Sequence, residues 1–165
     1  MNLARIFRHL FAEGSARRHF PSRVLDAIQQ AIAAGESRHR GQVCFAVEGA
    51  LPLGDLWRNR GARDRAHEVF AHLRVWDTEH NCGVLIYVLL ADHAIEVVAD
   101  RGIAALVAET EWAATCARMQ AHFAGGDFER GAVEGVTAVC DILARHFPAD
   151  GTPRTNELPD RPVLL

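Results

Sequence analysis

The chain has 165 residues, 49% of them apolar, with 18 cationic side chains, all arginine, against 21 acidic ones. That length and composition describe one domain with short flanking segments, large enough to bury a real core. The near-neutral charge demands no strongly charged partner, so no nucleic acid is expected, and no run reaches the roughly 18–20 apolar residues of a membrane-spanning helix.

Residues 2–12 place Leu3, Ile6, Phe7, Leu10 and Phe11 at helical spacing, with Arg5, Arg8 and His9 between them. Such a short basic amphipathic helix either packs on its own domain or lies on an anionic membrane surface. Arg5 and Arg8 interrupt the apolar core a signal peptide needs. The expected location is therefore cytoplasmic, with the inner membrane face as a peripheral site. Residues 1–20 form the N-terminal helical segment, 21–148 the domain, and 149–165 an extended tail whose apolar end, Val163-Leu164-Leu165, is available to dock.

Pro21-Ser22 opens a second helix, with Ser22 as N-cap and Val24, Leu25, Ile28 and Ile32 as its buried stripe. Gly35 or Gly41 ends it. Residues 42–48 alternate as a first strand, Val43, Phe45 and Val47 on one face. A loop holding Pro52 and Gly54 leads to a helical region over 55–76, where Ala66, Val69, Phe70 and Leu73 are the apolar face and Gly61 a candidate break. Residues 84–90 are an unbroken apolar run, suited to a strand covered on both faces. The turn residues 91–93 and a second β-rich run over 95–99 complete a hairpin.

A strand–helix–strand crossover makes the first two strands parallel, and the hairpin adds the third antiparallel. After Gly102 the pattern stays helical. Trp112, Cys116, Met119 and Phe123 recur at three and four until Gly125-Gly126. Asp127 caps a last helix carrying Phe128, Ala132, Val136, Val139, Leu143 and Phe147, which Pro148 closes. The sum is an α/β fold, a three-layer α/β/α sandwich around a small mixed sheet. Cys44, Cys82, Cys116 and Cys140 lie far apart inside apolar patterns, as buried free thiols of a reducing compartment do.

The two ends of a hairpin's strands stand together, so the sheet end that opens the second strand gathers Asp77, Glu79, Asn81 and Asp100, with Glu36 and His39 nearby. Crowded carboxylates need a cation or an arginine. Hard oxygen donors suit Ca²⁺ or Mg²⁺, and Glu36-x-x-His39 has the spacing of inward-facing helical metal motifs. The alternative is that Asp77 caps a turn, Glu79 is solvated and Asp100 pairs with Arg101, Arg38 or Arg40. The opposite end holds Glu48, Asp92 and His93 beside Arg58, Arg60, Arg63 and Arg65. That run either takes a phosphate or acidic partner or, mixed with Asp64 and Glu68, is a solvated face. His72, His80 and His93 read as exposed. No nucleophile elbow, phosphate-binding loop, dinucleotide fingerprint or Ser-His-Asp arrangement occurs, so no catalytic residue is assigned. Asp92 or Asp100 could attack a phosphoryl group, but nothing in the sequence selects either.

Several stretches occur in a recognisable order: Ala66-x-x-Val69-Phe70, then Glu79-His80-Asn81-Cys82-Gly83-Val84-Leu85-Ile86, then Asp92 and Ile95-Glu96-Val97-Val98-Ala99-Asp100-Arg101-Gly102-Ile103. Over about residues 23–147 the chain resembles the TPM-domain family, which takes in a plant thylakoid acid phosphatase, a photosystem repair protein and a nematode receptor modulator. The family's closing pattern F-x-x-G-D-Y-x-x-G is similar to Phe123-Ala124-Gly125-Gly126-Asp127-Phe128-Glu129-Arg130-Gly131. The resemblance implies an α/β/α sandwich and, in some members, divalent-cation binding by acidic loop residues with a weak phosphatase activity. The family's Asn-Asn-Gly is Asn81-Cys82-Gly83 here. Its G-Y-G-L-E is Ala99-Asp100-Arg101-Gly102-Ile103, with an aspartate at a glycine position and the glutamate lost. The Asp-rich opening, signal peptide and C-terminal membrane helix of secreted members are not read in this sequence. The expectation is a binding or accessory domain, cation-loaded through those acids and working with a membrane-associated protein partner. The alternatives are a metal-assisted phosphatase acting on phosphate monoesters and a membrane-surface adaptor using residues 2–12.

Overall fold

The computed structural model describes residues 3–152 and 155–165. At its centre β1 (Gln42–Glu48), β2 (Gly83–Leu89), β3 (Ala94–Ala99) and β4 (Val163–Leu164) form one sheet in the order β3-β2-β1-β4. Every residue of β1 and β2 is buried, as strands between two helical layers must be. These two run parallel, Gln42 opposite Gly83 and Glu48 opposite Leu89. β3 returns antiparallel to β2, with Val84 opposite Ala99. The expected crossover and hairpin are thus both present. The tail does more than lie extended: β4 adds a short parallel strand to the free edge of β1. Glu157 and Leu158 fix its approach by donating their N–H groups to Gln42 Oε1 at 2.9 and 3.1 Å.

Among the described residues the helices are α1 (Leu3–Ala12), α2 (Ser15–His19), α3 (Ser22–Glu36), α4 (Leu53–Trp57), α5 (Ala62–His72), α6 (Arg101–Ala104), α7 (Glu109–Ala124) and α8 (Phe128–His146). Residue 2, expected as the start of α1, lies outside the described residues. Alternation along the strands divides the core in two. Val43, Phe45, Val47, Ile86 and Val97 share one cluster with Ile28 and Ile32 of α3 and Val136, Val139 and Leu143 of α8. Cys44, Ala46, Leu85, Tyr87 and Val98 face the other way, onto Ala66 and Val69 of α5 and onto Leu56, Val75 and Leu158. This is the three-layer sandwich.

Pro21, not Ser22, is the N-cap of α3, and no side chain caps it. Proline already holds the extended backbone that enters a helix, so the hydroxyl is not needed. Gly35 is the second-last residue of α3 rather than its terminator, and a Cβ there would sit 2.2 Å from Cys140 Sγ. Asp127 does cap α8, accepting from the Arg130 N–H at 3.4 Å. Gly61 precedes α5 and separates it from α4, as expected. Cys44, Cys82 and Cys140 are buried and Cys116 is half-buried, and none of the four is in a disulfide.

Candidate functional site

The hairpin's two feet clip onto each other through backbone. Asp100 N–H donates to the Gly83 carbonyl at 2.8 Å, and Gly102 N–H to the Asn81 carbonyl at 3.1 Å. Both glycines are obligatory: a Cβ on Gly83 would lie 1.9 Å from the Val75 carbonyl oxygen, and one on Gly102 2.6 Å from that of Asn81. Asn81 itself takes a left-handed backbone (φ 51°), which asparagine tolerates. The Asn81-Cys82-Gly83 and Asp100-Arg101-Gly102 motifs are therefore the two halves of one clasp.

The acidic side chains around that clasp are engaged one by one. Asp77 forms an ion pair with Arg74, and the Glu79 side chain is 79% exposed. Asn81 Oδ1 accepts from Arg101 Nε and Nη2, both at 3.3 Å. Asp100 Oδ1 accepts the Arg101 N–H at 2.7 Å, while its Oδ2 is buried with no partner. Arg38 and Arg40 pair with Asp141 and Asp150 instead of Asp100. Glu36 Oε1 accepts the Val43 N–H at 2.8 Å. Burial pushes its carboxyl up to about 7 against that hydrogen bond, with Asp160 adding to the rise.

Because α3 stops at Glu36, His39 is not on the helix and the two do not form a helical i, i+3 pair. His39 Nδ1–H donates to the Gly41 carbonyl at 3.1 Å, leaving Nε2 bare, buried and without a partner. Burial lowers its pKa to about 4, against that hydrogen bond. Among the described residues no three His, Cys, Asp or Glu side chains are grouped to hold a metal ion.

The opposite end of the sheet is where charges are packed together. Glu48, the last residue of β1, is 4% exposed. It receives Arg65 Nε and Nη2 at 2.9 and 2.8 Å and the Tyr87 hydroxyl at 2.6 Å. Burial and the Glu48 carboxylate raise the Tyr87 phenol above its ordinary value, and the Glu48 hydrogen bond raises Arg65. Arg65 and Arg60 both donate to Glu68, at 2.8 and 2.6 Å, and Arg63 donates to the Val97 carbonyl at 2.6 Å. Arg60, Arg63 and Arg65 thus each hold a partner within the chain, while Arg58, exposed at the end of α4, makes no ion pair among the described residues.

Asp92, in the hairpin turn, holds α1. Arg5 Nη2 and Nε reach its Oδ2 at 2.7 and 3.0 Å, and Arg8 Nη2 and His9 Nε2 reach Oδ1, each at 3.1 Å. His9 Nδ1 accepts the Leu51 N–H at 2.9 Å, so its proton sits on Nε2 and is donated to Asp92. Burial alone would raise the Asp92 carboxyl; the Arg5 and His9 hydrogen bonds outweigh it and hold the group below the usual range. His72, His80 and His93 are exposed, as expected.

This latch turns α1 inside out. The helix packs on its domain, but through Arg5, Ile6 and His9, while Leu3, Phe7, Leu10 and Phe11 are 60, 58, 50 and 85% exposed. Between α1, the hairpin turn and the end of α7 runs a groove of about 980 Å³, walled by Phe7, Phe11, Leu90, Ile95, Phe123 and Phe128. Phe123, Ala124 and Phe128 of the Phe123-to-Gly131 motif line it. The Phe123 and Phe128 rings lie 5.0 Å apart, and a Cβ on Gly131 would come within 2.7 Å of Phe123.

A mixed sheet with a clasped hairpin and helices on both faces defines an α/β/α sandwich. Residues 20–142 match the family model of the TPM domain, and the chain belongs to that family. Its structure is similar to the NMR structure of the BA42 protein from the psychrophilic bacterium Bizionia argentinensis, with a TM-score of 0.75 and 29% identity over 87% of this chain and 93% of that one. No curated protein matches the chain. Among the described residues no helix is long and apolar enough to cross a membrane.

Proposed function

We propose that this TPM-domain protein is a binding or accessory module that works at a membrane surface through α1, beside a membrane-associated protein partner. The outward apolar stripe of α1 carries the reading. Leu3, Phe7, Leu10 and Phe11 fall at i, i+4, i+7 and i+8, one face of the helix, and they face water because Asp92 claims the polar side. Burying such side chains at a headgroup boundary returns about 1.5 kcal/mol or more each. Arg17 and Arg18 of the adjoining α2 are exposed, and each basic residue near an anionic surface adds about 1 kcal/mol.

Co-sedimentation with phosphatidylserine-containing vesicles tests this. The protein should pellet with anionic vesicles, and a Phe7→Ser/Phe11→Ser variant with an unchanged circular dichroism spectrum should stay in solution. Equal partitioning of the two proteins ends the reading. Point substitutions are preferable to deleting residues 1–20, which would strip Asp92 of Arg5, Arg8 and His9.

A second reading rests on Asp100 Oδ2, a buried oxygen without a partner. Ca²⁺ or Mg²⁺ would satisfy it, with Asn81 Oδ1 joining once Arg101 gives way. An arginine to displace and few donors make this a weak site, of about 10⁻⁴–10⁻³ M, the range of low-affinity calcium modules. Calorimetric titration with each ion decides it, Asp100→Asn being expected to remove the heat. Metal-dependent hydrolysis of a general phosphate ester would extend it to a phosphatase. No heat from either ion ends both ideas.

A further inference from the structure

We infer that the groove beside α1 and the basic cleft adjoining it form one site for an anionic amphiphile, a single acyl or alkyl chain ending in an oxyanion. The chain would lie along Phe7, Phe11 and Phe123, and the oxyanion would meet Arg18. Two features of the walls carry this. The groove's ionisable lining is Arg8, His19 and His93, with no carboxylate among its lining residues. The groove borders a second cleft, of about 640 Å³, which shares His19 and Phe128 with it and is lined further by Arg18, Arg23 and Arg130 and by the carboxylates Asp127 and Glu129.

The two compartments meet at one built element, the His19 ring stacked on Phe128 at 4.2 Å. In the cleft, Arg23 is engaged by Glu129 and Arg130 by Glu134. Arg18 is exposed and makes no ion pair among the described residues, so its guanidinium is free for a two-pronged bond to a carboxylate or phosphate. Polarity therefore runs from phenylalanine to arginine: Arg8 is held by Asp92, Glu129 by Arg23, and Asp127 caps α8, which leaves Arg18 as the cation to meet the head group. A volume of this order accommodates a small organic ligand. The inference deepens the membrane-surface reading by naming a lipid-like ligand for the same face of α1.

Isothermal titration of the whole protein with decanoate and decyl phosphate, below their micellar concentrations, tests it. Decyltrimethylammonium and inorganic phosphate are the controls. Either ten-carbon anion should bind saturably at one site, and the tighter of the two names the head group. Phe11→Ser should weaken it about tenfold or more, Arg18→Ala about two- to fivefold, and Leu10→Ser, exposed but outside the groove, not at all. Absence of saturable heat from both anions overturns the inference. So does equal affinity for the cationic analogue, or for inorganic phosphate alone. Vesicle binding retained without amphiphile binding removes this inference and leaves the membrane-surface reading; amphiphile binding without vesicle binding does the reverse.

Discussion

The two ends of the sheet are held by opposite means. At the hairpin's feet the backbone does the work: Gly83 and Gly102 let main chains touch, and the charged side chains around them pair locally or point to water. At the hairpin's turn side chains do it: Glu48 and Asp92 each draw in several donors from elements distant in sequence. A backbone clasp tolerates changed charges but not an added atom. A side-chain network tolerates added atoms but not a lost charge. Mutations at the two ends should therefore fail for different reasons.

The sharpest break is at the feet. Gly83→Ala forces a Cβ onto the Val75 carbonyl, and a main-chain clash cannot be relieved by a rotamer change. It should cost more than about 3 kcal/mol in urea unfolding. Gly54→Ala, a helical site with nothing within 4 Å, should be neutral or stabilise by up to about 1 kcal/mol. Equal effects from the two would mean that the clasp does not exist. At the other end Arg65→Ala strands the Glu48 carboxylate beside Tyr87, at a cost of about 3 kcal/mol. Arg65→Lys should recover only part of that, because lysine cannot present two parallel donors.

A smaller effect separates α1 from the core. Asp92→Asn preserves shape but removes the charge that gathers Arg5, Arg8 and His9. We expect a loss of about 1–2 kcal/mol, with amide hydrogen exchange accelerated in α1 and unchanged in β1 and β2. Acceleration spread over the sheet would mean that the latch belongs to the core and not to the helix alone.

That latch also marks where sequence reading stops. The apolar run over 84–90, the flanking turn residues and the helical stripes are local signals, and they yield the sheet order β3-β2-β1 and the helices on both faces. Antiparallel pairing alone places Asp77, Asn81 and Asp100 at one end. It cannot say whether each carboxylate finds its own arginine, which is decided by side-chain reach within a few ångströms. The stripe of α1 was equally visible, but which side the domain takes depends on Asp92, more than 80 residues away. Likewise the run Arg60, Arg63, Arg65 looks free until Glu48 and Val97 arrive from the strands. The β4 strand is two residues long and has no periodicity to read.

In the wild-type protein the smallest net effect comes from two groups at the feet, the half-buried Glu36 and the buried His39, that oppose each other. Glu36 is raised from an ordinary 4.5 to about 7, so between those pH values the folded chain holds more protons than the unfolded one. Its contribution is full below 4.5 and is lost as pH rises towards 7. His39 is lowered from 6.5 to about 4, so between those values the unfolded chain holds more protons. Its contribution grows as pH rises through that window. From about pH 4.5 to 6.5 the slopes have opposite signs, and the wild-type protein should feel little net effect from the pair. Removing one exposes the other. In Glu36→Gln the urea midpoint should climb between pH 4.5 and 6.5 relative to wild type, and in His39→Gln it should fall over the same range. Surface carboxylates titrate in all three proteins and cancel in the differences, so two flat difference curves would mean that neither group is shielded from water in the folded state.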